Sequence, residues 1–400
     1  MHKETASASE GASVKRRVVM SYPTAILILV LIIALSFVLG TRAYKLPLVG
    51  GANSSDFSSL SELYGTLSRM YDGSVDKAKL IDGAKHGMVD ALGDPHTMYL
   101  NAEEAAAFDG DLSGHFEGIG AELGKVDGVL TIMGVINDSP AQKNGIKTGD
   151  MILRVNDDDT AGLTVGQAVQ KIRGAKGTSV RLTLVRDGQS HESTLVRDTI
   201  STPSVTSEVL EQGKVGYLRV SRFGDDTPAA ARAEATKLKE QGVSSIVLDL
   251  RGNGGGYVSA AQEISGLWLK DTVVATERRG GEIQRTFRTG RADTPLAGLK
   301  TVVLIDGGSA SASEIVALAL SEHGAAQTMG TKTYGKGTMQ VLETLPDGGM
   351  LKVTVARWFS DKGVNVDKKG ITPGTVVELS ETDQAGATDS QKDAAVKSVM

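Results

Sequence analysis

The sequence predicts a multidomain α/β chain with one apolar span near its N-terminus, a helical segment, a β-rich unit and a mixed α/β unit. Three observations predict it. Tyr22 to Gly40 is a run of about twenty uncharged residues, long enough to cross a hydrocarbon core. Apolar residues then recur at helical spacing between Asp56 and Phe108. Beyond Thr202, buried-type strands alternate with helical stretches, the pattern of an α/β layer with parallel strands.

The chain has 400 residues, room for two or three domains. Its 48 glycines exceed the usual share of about 7%. They cluster in short motifs, which points to tight turns and close backbone approaches. The net charge of −5 is mild, and no basic stripe follows the N-terminus, so nucleic-acid binding has no electrostatic basis. The absence of cysteine excludes disulfides, thiolate catalysis and Cys-ligated zinc.

Residues 1–20 are polar and read as a cytoplasmic tail, and 21–41 as a transmembrane anchor. Lys15, Arg16 and Arg17 precede the span, so the N-terminus is expected inside and everything after Arg42 outside. A cleaved signal peptide is the rival, but the run is longer than the usual h-region and no clean A-x-A site follows. Residues 56–112 form the helical segment, with Leu60, Leu63, Leu67 and Met70, then Leu80, Ala84, Met88 and Leu92. Gly93 to Tyr99 is a turn cluster.

The second unit spans 113–197. Val129–Val135, Met151–Val155 and Ser179–Arg186 read as strands. Asp138-Ser139-Pro140-Ala141 opens a short helix, and Thr164 caps an amphipathic helix to Ile172. The third unit spans 198–380. Its strands are Gly216–Val220, Ser245–Leu250 and Thr301–Ile305, and its helices are Pro228–Gln241, Ser259–Leu269 and one from Ser313. Val341–Leu345 and Met350–Trp358 flank Pro346-Asp347-Gly348-Gly349 as a hairpin. The polar, alanine-rich residues 381–400 read as a disordered tail.

Three glycine- and serine-rich junctions in the third unit follow buried strands: Leu248 to Gly256, Gly307 to Ile315, and Thr333 to Gln340. Sites form at the carboxyl ends of strands in open α/β sheets. A serine at a helix entrance offers a nucleophile, but it needs an adjacent base. Of the six histidines only His323 lies in this unit, about three turns along the helix from Ser311, so a Ser-His-Asp triad is poorly supported. A lysine whose pKa is lowered by burial can replace histidine, and Lys336 between two glycines is the candidate. Gly330 to Lys336 begins like a phosphate-binding loop, but Gly337 stands where Ser or Thr should ligate magnesium, and an extended stretch follows.

At these residues the sequence resembles the carboxyl-terminal processing peptidases, or tail-specific proteases. Gly308 to Ile315 reads G-S-A-S-A-S-E-I and Tyr334 to Gln340 reads Y-G-K-G-T-M-Q. The resemblance implies a serine endopeptidase acting near the C-terminus of proteins, with Ser311 as nucleophile, Lys336 as base and Gln340 supporting the lysine. Ser311 and Lys336 stand 25 positions apart, the separation that the family keeps. The family's oxyanion hole implies the amide of Ala312 with that of Gly254 or Gly255, from a loop where Gly254 replaces the usual proline. Gly374 likewise replaces the Asp of the family's G-I-x-P-D element.

The resemblance extends from Asp56 to Leu379 and includes the D-P-x-T-x-Y element at Asp94 to Tyr99. The second unit is similar to a PDZ domain, through Phe116 to Gly120 and Ser139 to Asp150. This implies a loop of Gly118, Ile119 and Gly120 taking a substrate's terminal carboxylate, with Arg173 coupling the PDZ unit to a mixed α/β peptidase core. Peptides with free C-termini are the implied partners, and no metal or cofactor is implied. Dimerisation through the helical segment and a location on the outer face of a bacterial cell membrane are further expectations. The alternative is a non-catalytic PDZ adaptor on a peptidase scaffold, a reading that loss of Ser311 or Lys336 would have signalled.

Overall fold

The structure is a computed structural model that describes residues 57–126, 128–380, 383 and 388–400. The expected cytoplasmic tail and membrane span lie outside the described residues. Among the described residues no helix is long and apolar enough to cross a membrane. Among the described residues, 57–80 and those from Ile81 onward fall in two separate units. In the first, α1 (Ser58–Met70) carries Leu60, Leu63, Leu67 and Met70 at the predicted helical spacing, and all four are exposed.

The second unit follows α2 (Lys77–Asp90) with β1 (Met98–Leu100) and α3 (Ala102–Ser113). Asn101 opens α3 through a capping box with Glu104. A β-rich body comes next: β2 (His115–Gly118), β3 (Ala121–Val126), β4 (Val129–Val135), α4 (Pro140–Lys143), β5 (Met151–Val155), β6 (Asp158–Asp159), α5 (Val165–Ile172), β7 (Ser179–Arg186) and β8 (Gln189–Val196). Its antiparallel sheet has the order β3-β4-β5-β7-β8. Ile132, Ile152, Leu182, Leu184 and Leu195 close its core against Ala168 and Ile172 of α5. Ser139 and Thr164 cap their helices as their positions predict. A strand pair that the alternation did not reveal ties off the body: β9 (Asp198–Ser201) pairs with β2.

The α/β body then runs β10 (Val205–Leu210), β11 (Val215–Val220), α6 (Thr227–Glu240), β12 (Ser245–Asp249), α7 (Val258–Ser265), β13 (Val273–Arg279), β14 (Glu282–Arg288), β15 (Lys300–Ile305), α8 (Ala312–Glu322), β16 (Gln327–Gly330), β17 (Thr338–Thr344), β18 (Met350–Phe359), β19 (Thr375–Val376) and α9 (Ser390–Val399). One sheet has the order β10-β11-β12-β15-β16-β19, parallel throughout except at β10. Successive side chains of a strand point to opposite faces. Leu218, Val220, Ile246, Leu248, Val303 and Ile305 therefore pack with the helices α6, α7 and α8 in one core. Val215, Tyr217, Val247, Val302 and Leu304 form the core of the other face.

That second face corrects one expectation. Residues 390–399 are a helix, not a disordered tail, and its Ala395, Val396 and Val399 cover the sheet. Overall composition hid an apolar face spaced at three and four residues. Asp389 caps the helix by accepting from the Lys392 N–H, and Arg251 binds Asp389 at 2.7 Å. A second, antiparallel sheet has the order β1-β18-β13-β14, with β17 pairing β18 as the predicted hairpin. The charged strands β13 and β14 were not anticipated.

In the parallel sheet β12, β15 and β16 are neighbours, so the three glycine- and serine-rich junctions emerge side by side at their carboxyl ends. The docking of α9 has a measurable consequence. Ala395 is fully buried, and Ala395→Asp is expected to destabilise the α/β body by about 3 kcal/mol in denaturant titration, because it buries an unpaired carboxylate. An unchanged midpoint would show that the helix does not pack there.

Candidate active site

The second junction carries three serines, and the fold assigns them different tasks. Ser309 Oγ donates to the Leu250 carbonyl at 2.8 Å, and Ser313 Oγ donates to the Asn253 carbonyl at 2.8 Å. Both side chains are fully buried and committed to holding the first junction. Ser311 alone of the three lines a cavity of about 600 Å³. It precedes α8 with φ 54° and ψ −112°. For a serine this strained turn costs about 1–3 kcal/mol, which the surroundings must over-determine, and it presents the hydroxyl at a strand-to-helix turn.

What holds Ser311 there is Glu314, three residues into the same motif. Its carboxylate is fully buried and accepts four hydrogen bonds. Oε2 accepts from the Ser311 N–H at 2.8 Å and the Lys336 N–H at 2.9 Å. Oε1 accepts from Thr333 Oγ1 at 2.5 Å and the Gly335 N–H at 2.8 Å. One side chain thus joins the second junction to the third. The sequence carries a signal for it, since Ser311 and Glu314 have the spacing of a capping box.

Lys336 lines the same cavity as Ser311. The two side chains are not hydrogen-bonded to each other. Burial, with the nearby Lys352 ammonium in second place, brings Lys336 down from 10.5 to about 8, against the opposing pull of Asp94 and Glu314. Gln340, placed on β17, also lines the cavity. Its Nε2 donates to Thr338 Oγ1 at 2.9 Å and Thr354 Oγ1 at 3.1 Å, and not to Lys336.

The first junction packs directly on the Ser311 turn. A Cβ on Gly255 would come within 2.9 Å of Ser311 Cβ and 3.0 Å of the Ala312 nitrogen, and the φ of 101° there also demands glycine. The Gly255 N–H is already donated to Asn253 Oδ1 at 2.9 Å. Gly254 lines the cavity, and neither its N–H nor that of Ala312 has an acceptor among the described residues. Asn253 fixes the loop by donating to the Val220 carbonyl and accepting from Ala310 N.

Two groups reach this region from the turn before β1. Pairing of β1 with β18 brings in Asp94 and His96. Burial disfavours the Asp94 charge, but hydrogen bonds from Thr354, Thr97 and the His96 N–H overcome it and hold Asp94 at about 2. Burial and the Lys336 charge push His96 down. His96 falls within the stretch 56–112 that the sequence assigns to the helical segment, yet the fold brings it beside Lys336. His323 sits at the far end of α8 and contacts the Val273 carbonyl.

A second cavity, about 480 Å³, lies in the β-rich body between β3 and α5. Gly118, Ile119, Gly120 and Arg173 all line it, with Leu123, Val169 and Ile172 as apolar walls. The N–H groups of Ile119 and Gly120 have no acceptor among the described residues, while their carbonyls hold Ala141 and Ile136. Arg173 follows α5, lies over the Phe116 ring at 4.7 Å and binds Asp111 of α3 at 2.9 Å. Asp111 is also part of the Ser311 cavity wall.

Residues 214–377 match the model of peptidase family S41, 109–185 that of the PDZ domain, and 47–104 that of the activating protease CtpB N-terminal domain. The carboxy-terminal processing protease CtpA of Bacillus subtilis (strain 168) is 35% identical over 348 residues, 86% of this chain and 73% of that protein. CtpB of the same organism is 35% identical over 333 residues, 82% of this chain and 69% of that protein. The solved structure of a photosystem II D1 C-terminal processing protease superimposes with a TM-score of 0.50 at 27% identity, over 82% of this chain and 90% of the other. Sequence relatedness over most of both chains, a matching catalytic-unit model and a PDZ domain joined to it make this chain a member of peptidase family S41, among the carboxy-terminal processing proteases.

Proposed function

We propose that this protein is a serine endopeptidase that cuts protein chains near their C-terminus, using Ser311 and Lys336 as a dyad. The carrying observation is that both side chains line one cavity and that Lys336 is brought down to about 8 there. At pH 7 an ordinary lysine is neutral in only about one molecule in three thousand, whereas one at about 8 is neutral in roughly one in ten.

In this reading the neutral Lys336 amine takes the Ser311 proton as Oγ attacks the scissile carbonyl. The Ala312 and Gly254 amides receive the developing oxyanion, which their lack of acceptors supports. Gly255 contributes close packing, since its own N–H is engaged. Lys336 returns the proton to the leaving amine, and water, deprotonated in turn by Lys336, hydrolyses the acyl-enzyme. Gln340 acts on the lysine through the order it imposes on Thr338 and Thr354. The groove beside Gly118, Ile119 and Gly120 holds the substrate's C-terminal residues as an added strand, with the carboxylate on the free loop amides. Arg173 connects that groove to the catalytic cavity through Asp111.

Around this activity we place residues 1–20 in the cytoplasm, 21–41 as an uncleaved membrane anchor, and the helical, PDZ and peptidase segments (56–112, 113–197 and 198–380) on the outer side of a bacterial cell membrane. The apolar run Tyr22 to Gly40 behind Lys15, Arg16 and Arg17 supports this. The exposed Leu60, Leu63, Leu67 and Met70 stripe supports self-association through the helical segment.

Mass spectrometry of a folded reporter with an unstructured apolar tail tests the dyad. Wild type is expected to release C-terminal fragments, with kcat/KM rising as pH increases and levelling above an apparent pKa of about 8. Ser311→Ala and Lys336→Ala are expected to lose activity by a factor of at least ~10³ while keeping their thermal midpoints. Fragment release by either variant at the wild-type rate would exclude the dyad. Glu314→Gln tests the joint between the loops. An amide in place of Oε2 or Oε1 turns acceptance into a clash of donors, so kcat is expected to fall about 100-fold or more with peptide binding to the PDZ groove unchanged. Wild-type turnover in that variant would show that the four bonds are dispensable.

A further inference from the structure

Lys352 is a cation in the catalytic cavity to which the dyad chemistry assigns no task. It stands on β18, where its cross-strand partners are Met98 of β1 and Leu342 of β17. Strand alternation puts it on the same face as Thr354, the partner of Gln340, so its side chain enters the cavity about 7 Å along the strand from that pair. The cavity wall around it includes Phe108, Leu112, Met339 and Leu342. Its ammonium lies 5.2 Å from the Phe108 ring centroid. Among the described residues no carboxylate forms an ion pair with it, and Asp111, the acidic group of the same wall, is bound to Arg173.

A long cationic side chain without a counter-ion, in a partly apolar cavity, is costly to keep there. Its cost has a use if a second ammonium shares the space, because two like charges disfavour each other and the more buried of the two gives up its proton first. Lys336 is that second group. The groups that face Lys336 are Lys352 on β18, Asp94 and His96 from the turn before β1, and Glu314 on α8. Asp94 and Glu314 favour its charged form, so without Lys352 the carboxylates would oppose burial unchecked. We propose that Lys352 is a positioning residue for the reaction, whose unpaired ammonium holds Lys336 in the neutral form that can accept the Ser311 proton. Burial lowers Lys352 as well, but its contact with the Phe108 ring favours the charged form that this assignment gives it.

This inference rests on Lys336 being the base, and its test separates the two. The probe is fluorescein-labelled denatured casein, with kcat/KM measured from pH 6 to 10 for wild type, Lys352→Met, Lys352→Gln, Lys352→Arg and Lys336→Ala. Both neutral variants are expected to move the ascending limb upward by about 0.5–1 pH unit, a three- to tenfold loss at pH 7 that vanishes above the limb. Lys352→Arg, which keeps the charge, is expected to leave the limb in place. The inference is overturned if the neutral variants lose activity equally at every pH, the mark of a structural role. It is also overturned if they raise KM with the limb unmoved, the mark of a contact to substrate carboxylates. If Lys336→Ala is inactive while the limb of Lys352→Met stays put, this inference alone fails. If Lys336→Ala remains active, the dyad itself fails.

Discussion

The buried Glu314 carboxylate is the interaction on which the catalytic geometry depends. Three junctions that are far apart in sequence must meet within hydrogen-bonding distance, and one of them must hold a serine at φ 54°. Glu314 accepts from the backbone of Ser311 and from the backbone of Lys336 with the same oxygen. It therefore fixes where both main chains stand while leaving both side chains free to face the cavity. The other junction is held by Asn253, whose carbonyl takes both the Ala310 N–H and the Ser313 hydroxyl. The strain at Ser311 is sustained because its own N–H and those of Ala310 and Ser313 are already bound.

In the proposed dyad, the same arrangement lets a lysine do the work of a histidine. A lysine becomes a base near neutrality when its charged form is penalised, and burial supplies most of that penalty at Lys336. The carboxylate of Glu314 pulls the other way, but it is saturated by four donors that spread its charge. Asp94 also pulls the other way, and it is bound by Thr97 and the His96 N–H. The acidic groups near Lys336 are thus engaged in positioning, and the cationic neighbour is left unpaired. The electrostatic balance of the cavity follows from which groups have partners.

Much of this was legible in the residues. The buried strands Ser245–Leu250 and Thr301–Ile305 ended where glycines and serines began, so the junctions could be placed at strand ends before their contacts were known. The turn Pro346 to Gly349 marked the hairpin that carries Gln340. Thr164 and Ser139 announced their helices by their spacing to the next apolar residues. What stayed hidden depended on contacts distant in sequence. Nothing local says that Met98 to Leu100 pairs with Leu100's partner strand β18, and that pairing is what brings Asp94 and His96 to Lys336. Ala395, Val396 and Val399 are too few and too dispersed among charges to announce a helix docked on Val247 and Leu304. Lys352 lies within the predicted strand Met350–Trp358, and its place beside the Phe108 ring comes only from the fold.

The protonation state of Lys336 in the resting protein is what the whole account turns on, and it can be observed without any substrate. In Ser311→Ala protein enriched with 13C at lysine Cε, the Lys336 resonance, assigned by its loss in a Lys336→Arg partner sample, can be followed by NMR across pH 6–11. The account predicts a midpoint of about 8. A midpoint near the ordinary lysine value of about 10.4 would contradict it, because the amine would then be almost wholly protonated where the enzyme is expected to act.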